Sequence, residues 1–134
     1  MTFKALKGDT HGAYSMFESE LPGEADGPSP HIHRELVEAF YIIEGEVTFR
    51  IDNQKVKAAA GSFVLVPRGT VHAFSNESPA GARMLVVVSP GGFEGWFEEM
   101  RAAVEAASGG QLDPAKLAAI SRKYDTEFVK LPRT

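Results

Sequence analysis

From Tyr14 to Ser89 the chain is a succession of short apolar runs, each stopped within a few residues by glycine, proline, asparagine or aspartate. Punctuation this dense leaves little room for long helices and prescribes short strands joined by turns, an antiparallel all-β domain. Tyr14 to Leu21 reads as an early strand, and PGEADGPSP after it as an extended loop. AFYIIEGEVTFRID reads as two strands joined at Glu44-Gly45, with Val47, Phe49 and Ile51 alternating with polar residues as on a half-buried sheet. A turn at Asp52-Asn53-Gln54 leads into KVKAAAG; SFVLVP is a strand stopped by Pro67, and Arg68-Gly69 turns the chain. VHAFSN and ARMLVVVS supply two further strands.

After Ser89 the pattern changes. Pro90-Gly91-Gly92 breaks the strand, and Phe93, Trp96, Phe97, Met100 and Val104 then recur at intervals of three and four, one apolar stripe of a helix. Ser108-Gly109-Gly110 ends it. Asp113-Pro114 is an N-cap followed by proline at the first helical position, opening a second short helix that runs to about Tyr124. The expected division is therefore a β domain over 1–90 and a helical extension over 91–134. The aromatic stripe packs against the β domain or a partner subunit, or covers the mouth of a pocket.

A chain of 134 residues can bury a core without staples, and it contains no cysteine. Disulfides, thiolate-bound zinc, iron–sulfur clusters and thiol nucleophiles are excluded. The net charge is −4, and no basic cluster of the kind nucleic acid requires is present. No apolar run approaches the ~20 residues that span a bilayer, and MTFKALKGDTHG lacks the apolar core of a signal peptide. The expectation is a soluble cytoplasmic protein with no nucleic-acid or membrane partner.

Chemistry concentrates in the histidines. His31 and His33 stand two apart, so on a strand both rings point to one face. Glu38 joins them only if the chain bends between Arg34 and Val37, after which Glu38, Phe40 and Ile42 share a face. A turn delivers His72 onto a strand whose same-face neighbour is Phe74. Three imidazoles and a carboxylate form a site of borderline hardness, suited to one divalent transition metal (Ni, Mn, Fe, Co, Zn or Cu) rather than calcium. His11 has no such company and reads as a surface residue. Glu35 reads as a solvated turn residue or a carboxylate behind the ligands.

These residues resemble the two motifs of the cupin family, G-x5-H-x-H-x(3,4)-E-x6-G and G-x5-P-x-G-x2-H-x3-N. His31, His33, Glu38 and Gly45 match the first at every spacing, with Ala25 in place of its opening glycine. Gly61, Pro67, Gly69, His72 and Asn76 match the second throughout. By residue frequencies the second motif arises by chance on the order of 10⁻⁷ per starting position. The glycines, Pro67 and Asn76 read as scaffold.

The resemblance implies a jelly-roll β-barrel over residues 1–90, with core motifs at 31–45 and 61–76, and often a homodimer. It implies metal ligation by His31, His33, Glu38 and His72 inside the barrel. The intervals EAFYIIEGEVTFRID, VPRGTVHAF and SPGGFEGWFEEM are similar to small one-domain cupins described as quercetinase-like. On that footing the expectation is a metal-dependent dioxygenase acting on a small enolisable or aromatic, flavonol-like compound. Glu38 serves as proton acceptor, and Phe40, Ile42 and Phe74 line the substrate pocket. Two other readings stay open because one scaffold hosts unrelated functions: a zinc-dependent isomerase or cyclase, and a non-enzymatic small-molecule-binding module.

Overall fold

The computed structural model describes residues 1–130; the last four residues of the expected extension lie outside them. Two antiparallel sheets pack face to face. The strands are β1 (Thr2–Ala5), β2 (Ser15–Leu21), β3 (Ala25–Asp26), β4 (His31–Ile32), β5 (Val37–Glu44), β6 (Glu46–Ile51), β7 (Gln54–Ala59), β8 (Phe63–Val66), β9 (His72–Asn76), β10 (Ala82–Ser89) and β11 (Glu127–Phe128). One sheet runs β1-β2-β10-β5-β8 and the other β11-β4-β9-β6-β7, with β3 also pairing β9. Two helices, α1 (Glu94–Ala106) and α2 (Pro114–Lys123), follow β10. This is the all-β jelly roll with a C-terminal helical pair that the strand pattern and the motif resemblance together imply.

Alternation builds the core. Phe40 and Ile42 of β5, Val47 and Phe49 of β6, and Met84, Val86 and Val88 of β10 all point inward and are almost fully buried. Each such side chain removed from water contributes about 1.5–3 kcal/mol, offset in large part by lost conformational entropy. The β5–β6 hairpin needs Gly45: its φ is +78°, and an added Cβ would lie 2.6 Å from the Gly81 carbonyl oxygen. At the end of β9 the buried Asn76 carboxamide donates to the carbonyls of Leu21, Pro22 and Ala80 at 3.2, 3.1 and 2.7 Å. It also accepts from the Ser78 amide at 3.0 Å. Asn76 thereby closes one end of the sandwich, which gives its scaffold reading a mechanism.

The helices do not bury the full stripe that their spacing suggests. Phe93 precedes α1, Val104 is exposed, and Ala103 is the buried residue of its second half. Contact with the barrel comes from the first turns: Phe97 meets Phe3 and Phe17 edge-on, with centroids 5.9 and 5.4 Å away. The indole of Trp96 donates to the buried Ser121 hydroxyl at 3.0 Å, tying α1 to α2. Asp113 caps α2 through the Ala115 amide at 3.0 Å, as the Asp-Pro pair predicts. After α2 the chain returns to the barrel, where β11 pairs with β4 through Glu127↔Ile32 and Phe128↔His31. Two residues are too short to show a period, so this strand leaves no signal in the sequence.

Candidate metal centre

The two pieces of sequence that carry the histidines meet inside the barrel. β4 and β9 are neighbours, with His31 paired to His72. His33 lies one residue beyond β4, the chain bends through Arg34 and Glu35, and β5 brings in Glu38. One donor atom from each of His31, His33, Glu38 and His72 lies within 4.8 Å of all the others. All four residues are buried, none more than 6% exposed.

Each ring is turned so that its Nε2 faces the centre. The Nδ1 of His31 lies 2.9 Å from the Ser29 carbonyl, that of His33 2.9 Å from the Asp125 carbonyl, and that of His72 2.9 Å from the Thr70 carbonyl. A carbonyl only accepts, so Nδ1 carries the proton in every case and each ring, when neutral, presents an Nε2 lone pair inward. The Nε2 atoms of His33 and His72 lie 3.4 Å from Oε1 and Oε2 of Glu38 respectively. Both are buried without a hydrogen-bond partner, an arrangement that costs free energy unless something binds there. Donors held about 2.1 Å from a common ion stand roughly 3.0–3.4 Å apart. The donor types and the two 3.4 Å separations therefore fit a divalent transition metal.

Electrostatics point the same way. Burial, reinforced by His72, pushes His31 down to about 4, so that it stays neutral at ordinary pH. Burial opposes ionisation of Glu38, but the attraction of the His33 and His72 rings, each 3.4 Å from a carboxylate oxygen, outweighs it and holds the carboxyl below its usual range. Burial likewise opposes charge on His33, yet Glu38 raises it. The centre holds one stable anion: His31 stays neutral beside it, and the same carboxylate that draws a proton onto His33 draws a cation in the proton's place.

The residues that hold His33 were missed by the sequence reading. Asp125, at the end of α2 with φ +55°, accepts from the amides of Arg34, Glu35 and Leu36 at 3.0, 2.6 and 2.9 Å. Its own carbonyl takes the His33 ring proton. The Thr126 hydroxyl, 3.1 Å from the Tyr124 carbonyl to which it donates, sits 3.2 Å from the same Nδ1. This one corner fixes both a candidate ligand and the bend that separates it from Glu38. It stands more than ninety residues from His33 in sequence, and an aspartate after a helix is too common to single out. Glu35 itself is exposed, with its amide tied to Asp125, and His11 is an exposed turn residue with φ +54°.

A cavity of about 310 Å³ opens above His31 and Glu38. Phe40 and Phe74 line it. Ile42 does not. Each two residues along β5 move about 7 Å from Glu38, and Ile42 is fully buried among the core side chains beyond the cavity. Phe93, Trp96 and Phe97 form the opposing wall, so the first turns of α1 border the space above the candidate ligands. Phe93 also packs edge-on against His33, with centroids 5.8 Å apart.

Comparisons with known proteins agree with this geometry. The family model described as "Cupin domain" matches residues 17–88. A curated relative, the quercetin 2,3-dioxygenase of Bacillus subtilis, is 33% identical over 96 residues, covering 72% of this chain and 28% of that protein. The chain thus spans little more than a quarter of that relative's length. A predicted oxalate decarboxylase from Thermotoga maritima superposes with a TM-score of 0.62 at 22% identity, over 66% of this chain and 76% of that one. A cupin-superfamily sugar phosphate isomerase from Silicibacter pomeroyi gives 0.57 at 23%, over 65% and 57%. These two likenesses speak to fold alone. With the family model covering more than half of its residues and both motifs converging on one point, the chain belongs to the cupin family.

Proposed function

We propose that this cupin is a metal-dependent dioxygenase acting on a small enolisable aromatic compound. The observation that carries the reading is the cavity, whose floor is His31 and Glu38 and whose walls are aromatic. The relative named quercetin 2,3-dioxygenase supports it. His31, His33, Glu38 and His72 would hold a divalent transition metal. When bound, that ion supplies Lewis acidity that lowers the pKa of a substrate hydroxyl.

The chain's own groups do the rest. Glu38 stays ionised in a buried place and accepts the proton of the substrate hydroxyl at a carboxylate oxygen. The three imidazoles, pinned through Nδ1, stay fixed while it does so. Phe40 and Phe74 on one side and Phe93, Trp96 and Phe97 on the other seat the aromatic body and exclude water. A homodimer accompanies the reading, supported by Tyr41, Phe63 and Leu65, which are exposed together on the outer face of β5 and β8.

Oxygen uptake with a panel of flavonols and simpler enols, after loading with Ni, Co, Mn or Fe, tests the proposal. Metal-dependent consumption of O₂ with at least one substrate is expected. Its absence across all pairings, or turnover that persists under anaerobic conditions, would overturn it. A Glu38→Gln variant that retains metal is expected to lose at least ~100-fold in kcat.

A further inference from the structure

The cavity distributes polarity in a way that narrows what it can accept. Its polar groups beside the candidate ligands are Ser19 and Thr126. The Thr126 hydroxyl is already committed to the Tyr124 carbonyl and the His33 ring. The remaining lining side chains are apolar: Met1, Phe17, Pro28, Met84, Val86 and Phe128 complete the walls begun by Phe40, Phe74 and the α1 aromatics. At about 310 Å³ the space also lies at the small end of the roughly 300–1,000 Å³ common for ligand pockets. A molecule seated here finds strong polar partners at one end and almost none along its body.

We infer that the substrate is an aromatic compound with one oxygen-bearing head, a hydroxyl beside a carbonyl, on a body of two or three rings that carries no further hydroxyls. The inference rests on the reading above for the head and on the wall chemistry for the body. A polyhydroxylated flavonol such as quercetin would bury its outer hydroxyls against phenyl rings and aliphatic side chains. Each hydroxyl stripped of water without a new partner costs on the order of tenfold in affinity. Among the lining side chains Ser19 can rescue one of them, and the apolar walls offer the others no partner.

Binding to the zinc-loaded protein tests this without turnover, because zinc does not cycle between oxidation states. The chain has a single tryptophan, Trp96, and it lines the cavity, so its fluorescence reports occupancy directly. Titration of 3-hydroxyflavone, quercetin and flavone, read by Trp96 quenching and by calorimetry, is expected to give one site. The affinity for 3-hydroxyflavone should exceed that for quercetin by about 30-fold or more, since several hydroxyls are left unpaired. Flavone, which lacks the 3-hydroxyl, should bind at least ~10-fold more weakly than 3-hydroxyflavone. Quercetin binding as tightly as 3-hydroxyflavone, or no quenching by 3-hydroxyflavone at all, would overturn the inference on the body. Flavone matching 3-hydroxyflavone would overturn the head-down seating. The predicted order of affinities without any metal-dependent oxygen uptake would instead leave the inference standing and remove the dioxygenase.

Discussion

Replacing Asp125 tests whether the C-terminal corner governs the metal centre from a distance. Its carboxylate receives three amide protons from residues 34–36. A hydrogen bond to a charged group is worth about 1.5–3 kcal/mol when sheltered. Arg34 and Glu35 are exposed, so water replaces much of what their amides lose; Leu36 is half-buried. Removing the carboxylate should therefore destabilise the metal-free protein by roughly 2–4 kcal/mol. Asp125→Ala adds about 1 kcal/mol, because φ of +55° is strained for alanine. Asp125→Gly isolates the carboxylate, since glycine takes that φ freely. The Asp125 carbonyl also orients His33; with the carboxylate clamp gone the main chain at 125 can swing that carbonyl away, and loss of such an outer partner typically costs 10–100-fold in metal affinity. The assays are urea unfolding of the metal-free variants and zinc affinity by competition with a chromophoric chelator. Asp125→Gly that shifts the urea midpoint as expected yet binds zinc like the wild type would refute the coupling to His33. An unshifted midpoint would refute the clamp itself.

Two further outcomes follow from the geometry. Asn76→Ala removes a buried carboxamide that satisfies four backbone groups and should cost about 2–4 kcal/mol, read as a lower urea midpoint with unchanged slope and unchanged metal stoichiometry. The metal-free protein should be most stable near pH 6.5. Below that, the unfolded chain protonates His31 while the folded one resists down to about 4, an effect worth at most roughly 3 kcal/mol, and Glu38 adds to the loss below its ordinary value of 4.5. Above pH 6.5, His33, raised in the folded state, loses its contribution as it deprotonates. Stability from guanidinium unfolding that rises steadily from pH 6.5 to 4 would contradict this account.

What the sequence revealed and what it hid divide along physical lines. The strands from β5 to β10 were legible because alternation, glycine at positive φ and Pro67 act within a few residues. His31, His33, Glu38 and His72 were legible because their spacing is tied to the turns that deliver them. Ile42 was misplaced because parity gives the face of a strand but not the depth along it. The α1 wall could not be resolved because an apolar stripe does not say what it packs against. Asp125, Thr126 and β11 were invisible: their partners are distant in sequence, and hydrogen bonds to main chain impose no residue pattern on the recipient.

The three ring anchors, at Ser29, Thr70 and Asp125, are peptide oxygens. No side-chain replacement deletes a peptide oxygen; a change must redirect the main chain to disturb it. The orientation of the imidazoles is therefore insulated from most single mutations, whereas the hydrocarbon walls above them are made wholly of replaceable side chains. Descendants of such a chain can trade one substrate for another by altering Phe74, Met84 or Phe97 while inheriting the same chemical apparatus beneath.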